Sequence, residues 1–164
     1  MRGRQRQRGS SVLYVVVLSP VLLLSLALAT EVGGLQMQKE RIRSALDQSV
    51  VVVAAAASRA GGSVSLERAR AVGVMREVLA ENLAPLAAAF ADVSAAAVAR
   101  NADVTVLTDV PAPDPFDSTQ VVRHPSIAVR IRVPLHTGLF AAAGLPSVET
   151  VTLASTAALR ETGP

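Results

Sequence analysis

The residues best suited to chemistry in this sequence are two histidines and two neighbouring aspartates. Neither His124 nor His136 has another metal-ligating residue at a useful spacing, and a zinc site needs about three or four convergent ligands. A surface role is therefore the favoured interpretation for both histidines. Asp114 and Asp117 lie close together in a proline-rich stretch. Paired acids bind calcium or do acid–base work in some proteins, but we expect this pair to solvate a loop.

Motifs for a nucleophile or a phosphate site do not accompany these residues. The chain has no cysteine, which excludes disulfides, thiolate catalysis and thiolate metal ligation. Neither a G-x-S-x-G nor a P-loop pattern occurs. Arg130 and Arg132 form a small basic strip, which is either a solvated sheet face, the favoured interpretation, or a contact for an acidic partner subunit. We therefore expect a protein that is not an enzyme and that uses no cofactor or metal.

The positive charge of the chain is concentrated at its N-terminus. The formal net charge is +3, and arginines occupy positions 2, 4, 6 and 8 with no acid among them. Without that tail the remainder is close to neutral, so the high isoelectric point does not indicate a nucleic-acid surface. Aromatic residues that could stack on bases do not interleave with the arginines. Nucleic acid is therefore not an expected partner.

The segment from Ser10 to Thr30 has no charged residue and predicts a membrane span. At about 1.5 Å per residue it covers roughly 32 Å, which matches a hydrocarbon core of about 30 Å. Pro20 lies inside it, and lipid-embedded helices tolerate such a proline. Because the arginines precede the segment, the positive-inside rule predicts a cytoplasmic N-terminus and an extracytoplasmic C-terminal part. We expect a single-pass protein of the cell membrane.

A secretory signal peptide is a second interpretation of the same residues. The basic start, the apolar run and Ala27-Leu28-Ala29 together resemble such a peptide with its cleavage site. The apolar run is longer than the roughly 7–15 residues that are typical of that signal. An uncleaved anchor is therefore favoured over a secreted protein released after Ala29.

The stretch RGSSVLYVVVLSPVLLLSLALATEVGG carries a family resemblance. Arg8-Gly9, a mostly apolar run, Pro20, a Leu-rich run, Glu31 and Gly33 follow one another in the order seen in TadE-like proteins. These are the pseudopilins, or minor pilins, of Tad/Flp-type pilus systems, and Asp47 also sits where that family commonly has an aspartate. The resemblance implies a non-enzymatic component of a pilus or a related secretion apparatus.

The same resemblance implies partners and a processing site. The expected partners are the membrane, other pilus or pseudopilin subunits, an assembly platform, and a prepilin peptidase that cuts between Gly9 and Ser10. The family usually carries a glutamate where this chain has Tyr14, which bears no charge at neutral pH. This departure favours a cap, an initiator or an assembly adaptor over a major filament subunit.

These patterns predict an α+β protein with an N-terminal transmembrane helix, amphipathic helices and then a small antiparallel sheet. The predicted segments are a basic cytoplasmic leader (1–9), a transmembrane helix (10–32), a juxtamembrane amphipathic helix (33–60) and a small extracytoplasmic α+β domain (61–164).

The juxtamembrane helix is expected to begin after a short hinge at Gly33-Gly34 and to run to about Ser58. Its apolar residues recur at helical spacings on one face, which either packs on its own domain, the favoured interpretation, or contacts partner helices. Arg43 and Asp47 are spaced to pair on the surface. The apolar face comprises Leu35, Ile42, Leu46, Val50, Val53 and Ala57.

A second helix is predicted after Gly61-Gly62, with Ser65 as its N-cap and Pro85 ending it. Helix and strand both remain open for 86–100, with a strand favoured over 92–99 and paired through a turn with 104–108.

The C-terminal part predicts a loop and two further strands. The loop covers 111–118, because three prolines in that stretch oppose regular structure. A strand with one buried and one charged face covers 127–133 and is stopped by Pro134. A loop or short helix through Leu145 then leads to a last strand at 148–158.

Overall fold

The structure, a computed structural model, describes the backbone of residues 6–59 and 68–159 and the side chains of 14–56 and 70–159. The predicted helix break at Gly61-Gly62 and the predicted cap at Ser65 lie outside the described residues. The fold is α+β, as predicted, with a long N-terminal apolar helix, shorter helices and a small antiparallel sheet.

Helices come first along the chain and most of the strands follow. In chain order the elements are α1 (Arg6–Arg59), α2 (Arg68–Leu83), a 3₁₀ helix (Ala84–Ala89), α3 (Ala95–Arg100), β1 (Asp103–Leu107), β2 (Ala112–Pro113), β3 (Val121–Val122), β4 (Ser126–His136), α4 (Gly138–Ala142) and β5 (Val148–Ala158). The chain divides into two compact units, one comprising Met1–Gln36 with Thr137–Ser147 and the other Met37–His136 with Val148–Pro164.

Helix α1 continues without interruption through Gly33-Gly34, so the predicted hinge is wrong. A glycine in a helix interior costs only about 0.5–1 kcal/mol relative to alanine. Helix formation is cooperative, and good helix formers lie on both sides of the pair, so that cost does not break the helix.

The apolar face of the second half of α1 packs within its own unit, as the favoured interpretation predicted. Ile42, Leu46, Val50 and Val53 are almost completely buried, so this face is not free for partner helices. In α2, every fourth residue from Met75 to Leu83 is likewise fully buried. Helix α2 ends at Leu83, two residues before Pro85, as predicted.

The strand predicted over 92–99 is wrong, because α3 occupies most of that stretch. Ser94 takes an extended conformation, and its hydroxyl accepts a hydrogen bond from the backbone N–H of Ala97 at 3.1 Å. This side chain caps the helix, and the alanines that follow have the strongest helix propensity of any residue. The strand predicted after it is confirmed as β1, one residue earlier than expected.

The main sheet is antiparallel and has the strand order β1–β4–β5. The alternating apolar residues of β4 are almost completely buried, namely Ile127, Val129, Ile131 and Val133. Helices α2 and α3 contact β1 and β4, respectively. The core of this unit therefore lies between the helices and one face of the sheet.

The prediction that Pro134 stops its strand is wrong, because β4 runs to His136 and pairs with β5 along its whole length. The carbonyl of Pro134 accepts a hydrogen bond from the N–H of Ala91 at 2.9 Å. The N–H and C=O of one strand residue point to the same side. The donor that proline lacks would therefore face Ala91, and no hydrogen bond to β5 is lost.

Candidate membrane anchor and assembly surface

The first half of α1 presents apolar side chains in all directions. Every large apolar side chain from Tyr14 to Leu26 is at least half exposed, and Leu23 reaches 67%. Leaving such surface in water is unfavourable by about 25 cal/mol per Å². This helix is long and apolar enough to cross a membrane, and a bilayer would remove that cost.

Polar groups within the apolar segment are satisfied by the helix itself. The hydroxyls of Ser19, Ser25 and Thr30 each donate to the carbonyl three or four residues earlier, at 2.7 to 2.8 Å. These three hydroxyls therefore need no hydrogen bond from water or from a partner subunit. A lipid environment requires polar groups to be satisfied internally in this way. Pro20 lies inside the helix without ending it.

Glu31 follows the apolar segment and reaches a part of the chain that is distant in sequence. Its Oε1 accepts a hydrogen bond from the backbone N–H of Leu139 at 3.0 Å, and both residues belong to the same unit. Its Oε2 is buried without a hydrogen-bond partner among the described residues. Leu139 is the second residue of the short helix α4, so one carboxylate oxygen of Glu31 accepts a hydrogen bond from the first turn of that helix.

The other residues suggested by the family resemblance lie apart from this contact. The backbone of Gly9 and Ser10 is helical, while Tyr14, Gly33 and Asp47 are exposed on α1. The predicted ion pair between Arg43 and Asp47 is absent from the described structure. Asp47 instead lines an open depression on the outward face of α1, with Glu40, Arg43, Ser44, Gln48 and Val51.

Comparison of the chain with protein-family models, with curated proteins and with solved structures finds no match in any of the three. The assignment of a biological role consequently depends on the residues of the chain and their contacts.

The aspartates of the proline-rich stretch organise a hairpin. The stretch 111–118 is predicted to be a loop, but part of it forms the short strand β2. This strand pairs with β3, which follows the stretch. Asp114 is 8% exposed, and its carboxylate accepts from the backbone N–H groups of Phe116 and Asp117 and from the hydroxyl of Thr156. The expectation that Asp114 solvates a loop is therefore wrong, since it closes a turn and ties the hairpin to β5.

Asp117 lies in the same turn and is less buried than Asp114. The hydroxyl of Thr119 donates to Asp117 Oδ1 at 2.6 Å, and the N–H of Thr119 donates to the same oxygen. These bonds, with a weaker contribution from Gln120, stabilise the ionised form and lower the pKa of Asp117 below its ordinary value of 3.8. The hydrogen bonds of Asp117 thus hold its carboxylate in the turn in the ionised form.

The basic strip on β4 has a partner within the chain. Both the Nε and the Nη2 of Arg130 donate to Asp103 Oδ2, at 3.1 and 2.8 Å, and its guanidinium carbon lies 4.8 Å from the centre of the Phe116 ring. Arg130 is therefore half-buried and held by groups of its own chain, whereas Arg132 is exposed. Ala128 lies on the same side of β4 as Arg130, the face predicted to be charged, and it is fully buried. The hairpin that carries Asp114 covers this side, because Asp114 accepts a hydrogen bond from Thr156, which pairs with Ala128.

The two histidines do not belong to a cluster of potential metal ligands among the described side chains. His124 and His136 are both exposed, and no group of three or more potential ligands forms among the residues whose side chains are described. The contacts made by Asp114 and by the segment around Leu139 were not predicted from the sequence. The uncharged sequence GLFAAAGLP would have been the signal for the latter.

Proposed function

We propose that this chain is a non-enzymatic, membrane-anchored subunit that assembles with other proteins, of the TadE-like pseudopilin type. The observation that carries the proposal is helix α1, in which an exposed apolar half follows Gly9-Ser10 and an amphipathic half contributes to the core of an α+β unit. One element thus joins a membrane anchor to a folded unit, as a pilin-like subunit requires.

The residues around the anchor support this proposal in their order along the chain. A cut after Gly9 would make Ser10 the first residue of an apolar helix, and Glu31 closes the apolar segment. Among the described side chains, the histidines and aspartates do not gather into a group of three or more potential metal ligands. The N-terminus is proposed to lie in the cytoplasm and the α+β unit outside it, because the arginines precede the span.

The presence of Tyr14 in place of the family glutamate favours a position other than that of a major filament subunit. Its exposed side chain ends in a phenol. It therefore supplies no carboxylate to offset the positive charge of a neighbouring subunit's N-terminal amine inside the membrane. A cap, an initiator or an adaptor is not an interior subunit of the filament, so the absence of that charge fits these roles. We therefore place the chain in this group and not among major filament subunits.

The decisive experiment is the mature N-terminus of the protein, measured by mass spectrometry of the membrane fraction with and without a co-expressed prepilin peptidase. A start at Ser10 that requires the peptidase is the expected result. Gly9→Leu should abolish this cut without affecting membrane insertion, and Gly3→Leu, the same change upstream in the leader, should leave it intact.

Two other results would contradict the pseudopilin proposal. A start at Thr30 would identify a secreted protein released after Ala29. An intact Met1 in the presence of the peptidase would leave a single-pass anchored domain that binds a partner without pilus assembly.

A further inference from the structure

The segment between β4 and β5 is an uncharged, ordered loop that carries exposed apolar side chains. It contains α4 and has no charged residue between His136 and Glu149. Leu139 and Leu145 are 43% and 51% exposed, and the intervening alanines are exposed as well. An uncharged run of exposed apolar residues marks an interaction surface more often than scattered single residues do.

The shape of this loop is fixed by its own hydrogen bonds. At its base, the N–H and hydroxyl of Thr137 donate to the carbonyls of Ser147 and Pro146 at 2.9 and 2.7 Å. At its tip, Gly144 has a φ of +78°, which a residue with a side chain rarely adopts, and its N–H donates to the carbonyl of Ala141. The exposed leucines therefore lie in a segment whose backbone conformation is fixed by hydrogen bonds at both ends.

The position of the loop along the anchor is set by Glu31. The span of roughly 32 Å from Ser10 to Thr30 matches the hydrocarbon thickness, so Glu31 lies where the helix leaves the hydrocarbon. Because Oε1 of Glu31 accepts the N–H of Leu139 at 3.0 Å, Leu139 lies at the same level as this boundary.

We propose that the loop 138–146 binds the lipid surface, inserting Leu139 and Leu145 into the headgroup boundary beside the C-terminal end of the span. The proposal rests on the membrane anchor of the proposed function and adds a second lipid contact to it. A lipid surface fits better than a partner protein, because the hydrogen bond to Glu31 holds the loop directly beside the end of the proposed span. The loop is uncharged, and its leucines and Phe140 suit the boundary between headgroups and acyl chains.

The experiment uses the full chain in vesicles of phosphatidylethanolamine and phosphatidylglycerol. Because the chain has no cysteine, single substitutions Leu139→Cys and Leu145→Cys carry an environment-sensitive fluorophore at one defined place. Leu23→Cys reports on the span, and Ser118→Cys reports on an exposed polar hairpin. Lipids with a nitroxide at a shallow or a deep position quench the fluorophore according to its depth.

The expected result is quenching of positions 139 and 145 by the shallow nitroxide more than by the deep one, at a depth of roughly 5–10 Å. The label at 23 should be quenched by the deep nitroxide, and the label at 118 by neither. Leu145→Asp should reduce the quenching at position 139 severalfold, whereas Ser118→Asp should leave it unchanged. Circular dichroism of each variant checks that the fold is retained.

Three results would overturn the proposal. Labels at 139 and 145 that behave like the one at 118 would show that the loop stays in water while the anchor stands. In the second result, a loop label is shielded from water, remains unquenched by lipid nitroxides and changes its signal with the protein-to-lipid ratio. That result would show that the loop contacts a second copy of the chain and not the lipid. An unquenched label at position 23 would remove the anchor itself, and the proposed function with it.

Discussion

The hydroxyl of Ser49 accepts a hydrogen bond from the side-chain amide of Asn82 at 2.8 Å, which ties α1 to α2 inside the core. Ser49 is fully buried, and the same hydroxyl donates to the carbonyl of Ala45 at 2.7 Å. Ser49 therefore has both a donor and an acceptor role satisfied, which allows a polar group in this core at little cost.

Ser49→Ala should lower the free energy of unfolding by about 1–2 kcal/mol, because the amide of Asn82 loses its acceptor. The measurement is urea unfolding of the full chain in mild detergent, followed by far-ultraviolet circular dichroism. Ser44→Ala makes the same change on the exposed face of α1 and should alter stability by less than about 0.5 kcal/mol. Equal effects of the two changes would mean that the buried pair contributes nothing.

Thr156→Val should destabilise the protein by about 1–3 kcal/mol, because Asp114 Oδ2 is left in a buried position without its donor at 2.7 Å. The valine has nearly the same shape, so packing is retained. Thr152→Val on the same strand is the matched control, since Thr152 is exposed like Thr156 but does not donate to Asp114. The comparison is made by urea unfolding, and a control that loses as much stability as Thr156→Val would contradict the role given to Asp114.

The pH dependence of the hairpin turn should follow Asp117. Because the pKa of Asp117 is lower in the folded chain than its ordinary value of 3.8, its stabilising effect is complete above that value. The effect is lost as the pH falls through the lowered folded pKa. A titration of the Asp117 carboxyl and the Thr119 amide by NMR should give a midpoint below 3.8, and Thr119→Val should raise it. A midpoint at or above 3.8 in the unchanged protein would contradict this assignment.

Glu31→Ala should accelerate hydrogen exchange at the backbone amide of Leu139, because the amide loses its acceptor at 3.0 Å. Glu31→Gln retains a side-chain oxygen and should preserve most of the protection. The measurement is amide exchange of the full chain in lipid nanodiscs. Protection that is unchanged in the alanine variant would show that Glu31 does not hold the loop.

The composition and spacing of neighbouring residues predicted the features of α1 that depend on neighbouring residues alone. The absence of charge from Ser10 to Thr30 predicts an apolar helix from composition and length alone, and α1 contains it. The helical spacing of Ile42, Leu46 and Val50 predicts a buried face, since periodicity determines which side chains share a side.

Features that depend on distant residues required the tertiary structure. Sequence spacing cannot show that the N–H of Leu139 reaches Glu31, or that Thr156 reaches Asp114, because both pairs are brought together only by the fold. Pro134 remains in a strand because its missing donor faces away from β5, which depends on how β4 is paired. The sequence by itself determined the long apolar helix and the α+β class through composition and periodicity, whereas long-range packing decided which polar groups are buried and what each one contacts.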